Sequence, residues 1–228
     1  MDRGLYIAAS GMLAEMARQD LLANDMANTS TAGYKADRVT QRSFSEVLLS
    51  NTASGATVGS IGSGAGITRQ VTDLAPQTHK ETGEPLDFAI AGEGFFAVRT
   101  AQGARYTRNG AFQTGAGGLL VDQLNNPVLT QRGQTIKVNA DGTVDPANLG
   151  VYKLNNAKKV GEGLFTGTAA GKDAGIARTG ALEGSGVDAS RAMIDMIASL
   201  RAFESGQKVI QTIDQTLDHA TTRVGSLS

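Results

Sequence analysis

The sequence predicts an α+β fold: long N- and C-terminal helices pairing as a coiled-coil-like layer, with a central antiparallel β domain. Three observations carry this. Apolar residues recur at helical spacing over residues 5–26 and again over 193–224. Between 85 and 184 the chain breaks into short alternating runs divided by turn-forming dipeptides such as Asn-Gly and Asp-Gly.

In the first helix, Leu5, Ala9, Met12, Met16, Gln19, Ala23 and Met26 follow a 4-3-4-3 spacing. That is the pattern of a coiled-coil seam. Leu13 and Leu21 widen the stripe. A plain amphipathic helix packed on its own domain has the same period. The run stops at "ANDMANTSTAGYK", residues 23–35. Asn24 and Asn28 stand four apart and share a face, where their amides would cap the helix or bond an adjoining chain. Thr29, Ser30 and Thr31 favour leaving the helix, and Gly33 permits a turn.

Residues 36–84 read as an extended connection. Within it "SNTASGATVGSIGSGAG", residues 50–66, is uncharged and rich in Gly, Ser, Thr and Ala, the composition of a loosely ordered link. Residues 85–184 read as the β domain. "LDFAIAGEGFFAV" gives two strand-like runs divided at Gly92–Gly94. "ARYTRNGAFQ" sets Asn109-Gly110 between alternating runs, a tight-hairpin signal because both residues tolerate positive φ. Asn125-Asn126 and Asp141-Gly142 repeat the scheme, and "GTAAGKDAG", residues 167–175, reads as a loop. Frequent short strands of this kind indicate antiparallel β structure.

In the last helix, Met193, Met196, Leu200, Phe203, Gln207, Ile210 and Leu217 form a second seam. Ile213, Ala220 and Val224 continue it with the drift of a 3.6-residue period. No proline interrupts Val187 to Val224, and Asp188 or Ser190 is placed to cap the start. Such a helix is roughly 55 Å long, more than a compact domain of this size needs. Gly206 is a weak point of only about 1 kcal/mol. The organisation expected is therefore 1–35, 36–84, 85–184 and 185–228, the outer two segments forming one inner domain.

Composition narrows the function. The 228 residues carry 21 Lys+Arg against 22 Asp+Glu, so nothing favours nucleic acid or an anionic membrane as partner. With no cysteine, disulfides, thiol nucleophiles and thiolate metal sites are excluded. No apolar window has transmembrane length. Glu15, Arg18 and Asp20 interrupt the N-terminal run, which makes it a poor signal-peptide core.

Catalytic patterns are missing too. His79 and His219 have no ligand spacing, and no HExxH, Walker A or GxSxG motif is present. Gly62, Gly64 and Gly66 do not lie between a strand and a helix, so they read as linker. Glu81 and Glu84 resemble a glycosidase pair only in residue type and read as solvated charge. Asn28-Thr29-Ser30 is a chance sequon. Of Phe95 and Phe96 in "GEGFF", alternation sends one to the core and the other to the surface, as a contact for a neighbouring subunit or a ligand platform. No catalytic, cofactor or metal residue is expected.

"SGMLAEMARQDLLANDMANTSTAGYKADR" resembles the N-terminal motif of flagellar axial proteins. Asn24, Ala27, Asn28, Thr31, Gly33, Tyr34 and Lys35 match its ANNLAN…G-[YF]-K pattern, with Asp25 and Met26 substituted. "LDFAIAGEGFFAV" and "RYTRNGAFQ" are similar to the first β domain of the rod and hook group. "GALEGSGVDASRAMIDMIASLRAFESGQKVIQTID" is similar to its closing helix, with Gly186 where the family has Asn. The flagellar basal-body rod family of the FlgF/FlgG type fits best. "YTRNG", "LEGS", "MIDMIA" and "SLS" lean toward the proximal type, FlgF, over the distal.

The resemblance implies a non-enzymatic subunit polymerising with itself and other rod and hook subunits into a tube that transmits torque across the periplasm. It implies export through the flagellar type III apparatus without a cleaved signal, with no cofactor and no small-molecule substrate. Residues expected at subunit interfaces are Leu5, Met12, Met16, Asn24, Met26, Asn28, Met196, Leu200, Phe203, Ile210 and Leu217. In the free subunit the termini would be partly disordered and fold on assembly. Two readings from other classes are a non-polymerising coiled-coil/β adhesin or binding module, and a peptidoglycan hydrolase using Glu81 or Glu84.

Overall fold

The computed structural model describes residues 2–43, 46–50, 57–62, 64–170 and 175–225. The architecture is α+β: a helix at each end and antiparallel β structure between. Helix α1 spans Asp2–Ala27 and α2 spans Ala189–Gly225, beginning directly after Asp188. Among the described residues, no helix is long and apolar enough to cross a membrane.

The chain divides into two compact units. The first contains Met1–Met26, Asp37–Val71 and Ala189–Ser228. Its helices run antiparallel: Met12 meets Gly206, Glu15 meets Ser199 and Arg18 meets Asp195. Two small ladders complete it, β1 (Asp37–Ser43) with β4 (Ala65–Thr72) and β2 (Glu46–Ser50) with β3 (Thr57–Gly62). The uncharged 50–66 run is thus in part a paired strand, while its residues 51–56 and 63 lie outside the described residues. Ladder pairing overrides the link-like composition, since backbone hydrogen bonds need no particular side chain.

The second unit contains Ala27–Ala36 and Thr72–Asp188. Its strands are β5 (His79–Glu81), β6 (Phe88–Ala91), β7 (Phe95–Thr100), β8 (Gly103–Thr107), β9 (Gln113–Thr114), β10 (Leu120–Val121), β11 (Val151–Tyr152), β12 (Leu154–Gly161), β13 (Leu164–Ala169), β14 (Ile176–Thr179) and β15 (Ala181–Glu183). The main sheet has the order β11-β7-β8-β13-β12, and smaller ladders join β14 to β6, β15 to β5 and β10 to β9. Alternation along β6 and β7 sends Phe88, Ile90, Phe96 and Val98 into one core with Phe112, Leu120, Val128 and Val151.

Three local expectations are corrected here. Asn109-Gly110 turns no hairpin; β7 and β8 turn at Ala101-Gln102, with Thr100 opposite Gly103. Gly110 is instead a close-approach site, because a Cβ there would lie 1.7 Å from the Phe88 carbonyl oxygen. That carbonyl strand and Gly110 also share a bond, Phe88 N–H to Gly110 O at 3.0 Å. Second, Phe95 and Phe96 are both buried. The outer face of β7 is covered, with the Phe95 ring 5.2 Å from that of Phe165. Third, the 167–175 loop is shorter than expected: residues 167–169 belong to β13, and 171–174 lie outside the described residues. By contrast, Asn125 at φ 61 and Gly142 at φ 76 do sit in turns.

Candidate functional site

On the two helices, the seam residues are only partly covered by their own chain. Leu5, Met16 and Leu200 are exposed, and Met12, Met26, Met196, Phe203, Ile210 and Leu217 are half-buried. Asn24 is exposed and Asn28 half-buried. Neighbouring positions are barer still: Leu13 is 66% and Ile194 67% exposed. Tyr6, Met193, Ile197 and Val209 add to this surface. The fully buried residues of the helices are mostly small or polar (Ala14, Ala192, Ser199 and Asp25).

The helix contacts are specific. Ser199 Oγ donates to the Glu15 carboxylate at 2.6 Å. Gly206 and Met12 touch so closely that a Cβ on Gly206 would lie 2.7 Å from Met12 Cγ. Around them lies a shallow apolar groove of about 460 Å³, lined by Gly4, Ala8, Gly11, Ala202 and Gly206 among others.

In the second unit the segment after α1 makes a corner. Thr31 N–H donates to Asn28 O at 3.1 Å, and Thr31 Oγ1 to Asn28 Oδ1 at 3.1 Å. Gly33 has φ 65 and lies where a Cβ would be 2.3 Å from Arg108 O, so geometry and space both require glycine. The corner is stitched to the end of β15 and the stretch that follows it. Gly33 N–H donates to Glu183 O, Ser185 Oγ to Asn28 O, and Gly186 N–H to Tyr34 O, at 2.9, 3.0 and 2.8 Å. Lys159 sits 4.0 Å from the centre of the Tyr34 ring and donates to Lys35 O.

Beneath the corner is a buried charge cluster. Lys35 Nζ donates to Glu183 Oε1 at 2.6 Å and to Ala75 O at 2.7 Å. Arg108 Nε donates to the other Glu183 oxygen, and its remaining nitrogens reach the Gly92 and Gly94 carbonyls. Gln77 N–H also donates to Glu183 Oε1, at 2.9 Å. Two cations share one carboxylate out of water, which needs this full set of partners to be tolerable. Burial pushes the Lys35 ammonium pKa down, against the opposing pull of Glu183. The cluster holds segments together and offers no open face to a substrate.

Sequence reasoning missed this cluster, although Lys35, Arg108 and Glu183 each stand in a motif it singled out. The enzyme candidates look different: Glu81 and Glu84 are both exposed, with Glu81 opposite Ala181 in a ladder. Among the described residues, no group of His, Asp or Glu is arranged to hold a metal ion.

Comparison with known proteins follows the same two regions. A family model described as "Flagellar hook protein FlgE/F/G D1 domain" matches residues 89–146, within the core of the second unit. Another, "Flagellar basal body rod FlgEFG protein C-terminal", matches 178–223, from β14 through most of α2. Similarity also extends along nearly the whole chain. The flagellar basal-body rod protein FlgG of Bacillus subtilis (strain 168) is 32% identical, covering 95% of this chain and 97% of its own. FlgF of Escherichia coli (strain K12) is 32% identical, covering 96% and 97%. The flagellar hook-basal body complex protein FlhO of B. subtilis is 28% identical, with both chains fully covered.

Proposed function

The chain belongs to the flagellar basal-body rod protein family, and from that premise we propose that it is a structural subunit whose two terminal helices form the inner layer of a helical axial tube. The observation that carries this is the apolar surface left open on both helices, Leu5, Leu13 and Met16 on α1 and Ile194, Ile197 and Leu200 on α2. Exposed apolar area of this extent marks an interaction surface. A head-to-tail contact that does not close into a ring generates a helical filament. In the tube the seams of α1 and α2 pair as a coiled-coil-like layer with those of neighbouring subunits. Leu5, Met12, Met16, Asn24, Met26, Asn28, Met196, Leu200, Phe203, Ile210 and Leu217 form the contacts.

The role is mechanical and non-enzymatic: torque passes across the periplasm through many subunit contacts. The partners are further copies and other axial subunits, and the chain reaches them through the flagellar export apparatus. Within the rod we place it at the proximal end, on the strength of "YTRNG", "LEGS" and "MIDMIA". FlgG- and FlgF-named relatives match at equal identity, so the distal position is the alternative.

The test is Leu200→Asp. A charge on this face should prevent rod assembly while the β domain stays folded, and normal rods from that variant would overturn the reading. Locating the chain in purified basal bodies decides between the proximal and distal positions.

A further inference from the structure

The hydrophobic core of the second unit is built almost wholly from one contiguous stretch. Among the described residues its buried members run from Phe88 to Val151 with Ala177 added from later in the chain, and half-buried Leu164 packs against them. The hydrogen bonds inside that stretch run from short links, such as Val128 N–H to Leu120 O and Leu120 N–H to Ile136 O, up to Ala97 N–H to Gly150 O, all shorter in sequence than the pairings made by residues 176–187. The bonds made by residues 176–187 are of another kind. β14 pairs with β6, β15 pairs with β5, and Gly184 N–H donates to Thr78 O. Glu183 reaches Lys35 across 148 residues of sequence and Arg108 across 75.

Closing such long loops costs more chain entropy than closing the hairpins of the core. The ionic partners add a constraint. Until Glu183 arrives, burying Lys35 and Arg108 would place two cations together with no carboxylate bonded to either, and only the weaker pull of Asp73 on Lys35, so both are better left in water.

We propose that residues 176–187 are a strap that closes last. The core of residues 86–151 forms first, and Glu183 then draws Lys35 and Arg108 inward and fixes the corner at Gly33 and Tyr34. A chain presented N-terminus first, as in synthesis, keeps the segment after α1 unlatched until residue 183 is available. Glu183 is the latch because one carboxylate satisfies both cations and its own backbone carbonyl holds Gly33. The strap acts within one subunit and is independent of rod assembly, so failure of either idea leaves the other standing.

The test is folding of the full-length chain at concentrations too low for assembly. Pulse-labelling hydrogen exchange during refolding should protect the Leu120, Val128 and Ile136 amides before those of Gly33, Gly184 and Gly186. Glu183→Gln should speed unfolding by about fiftyfold or more and slow refolding by less than about threefold. Leu120→Ala, in the core, should slow refolding itself. Simultaneous protection of core and strap amides overturns the proposal. So does a Glu183→Gln variant that slows refolding as much as it speeds unfolding. If Glu183→Gln does not fold, the order of protection in the unaltered chain decides alone.

Discussion

Glu183 Oε1 lies 2.6 Å from Lys35 Nζ, though the two residues stand 148 positions apart in the chain, and both side chains are withdrawn from water. The carboxylate is the scarce member of the cluster, since Arg108 shares it. Glu183→Gln leaves two buried cations facing a neutral amide, a loss of about 3–5 kcal/mol. Lys35→Met removes the surplus cation and leaves the Arg108–Glu183 pair intact. It forfeits mainly the hydrogen bonds to Ala75 O and Glu183, about 1–2 kcal/mol. Urea unfolding of the three chains checks the order. Equal losses would mean that charge balance is not what the cluster contributes.

Gly33 offers a sharper local test. At φ 65, alanine there meets backbone strain, and its Cβ also lands 2.3 Å from Arg108 O. The combined loss should be about 2–4 kcal/mol. Gly83 is the control: its φ is 75, but a Cβ there meets nothing within 4 Å. Gly83→Ala should cost only the strain, about 1 kcal/mol. Melting temperatures of the two variants separate space from conformation.

These positions show what the sequence makes legible. The helices were readable because their signal is local, apolar residues returning every three or four positions between Leu5 and Met26 and between Met193 and Leu217. The corner at Thr29 to Gly33 was readable for the same reason, as a cluster of helix-leaving residues. Asn109-Gly110 misled because the dipeptide does not say why glycine is there. Positive φ and close backbone approach both select it, and Phe88 O supplies the second reason. Alternation sends one of Phe95 and Phe96 to each face of β7 but does not say what covers each face, and Phe165 covers the Phe95 side. The Lys35–Glu183–Arg108 cluster was illegible because no local pattern pairs residues so far apart.

At the surface, Lys153 Nζ bonds Glu93 at 2.7 Å. The hydrogen bond from Lys153, and then its charge, hold the Glu93 carboxyl below the usual glutamate range. A carboxyl whose folded pKa is depressed favours the fold at pH above its unfolded value. That contribution is lost as pH falls through the folded value. Both side chains are substantially solvated, so the effect on stability is small and screened by salt. Lys153→Ala should move the Glu93 carboxyl titration, followed by carbon NMR, up to the ordinary range while the urea midpoint at neutral pH stays put. An unmoved titration would show that the pair does not persist in solution.

Gly206 and Met12 set how closely the two helices approach. Glycine inside a helix costs about 1 kcal/mol against alanine, so its presence in α2 calls for a packing reason. Met12 supplies one, with its Cγ 2.7 Å and its Sδ 3.3 Å from where a Cβ would stand. Gly206→Ala asks the flexible methionine to shift a little, which its three rotatable bonds allow. The helix gain and the packing loss should then nearly cancel. Gly206→Leu cannot be absorbed in this way. It should force the helices apart, misalign the surface that carries Leu200 and Ile197, and abolish rod assembly, while the tyrosine signal of the β domain still melts normally. Met12→Ala opens the space opposite, so the Gly206→Leu, Met12→Ala double variant should recover part of the assembly. Normal rods from Gly206→Leu alone, seen by electron microscopy of basal bodies, would show that this close approach is not what positions the assembling face.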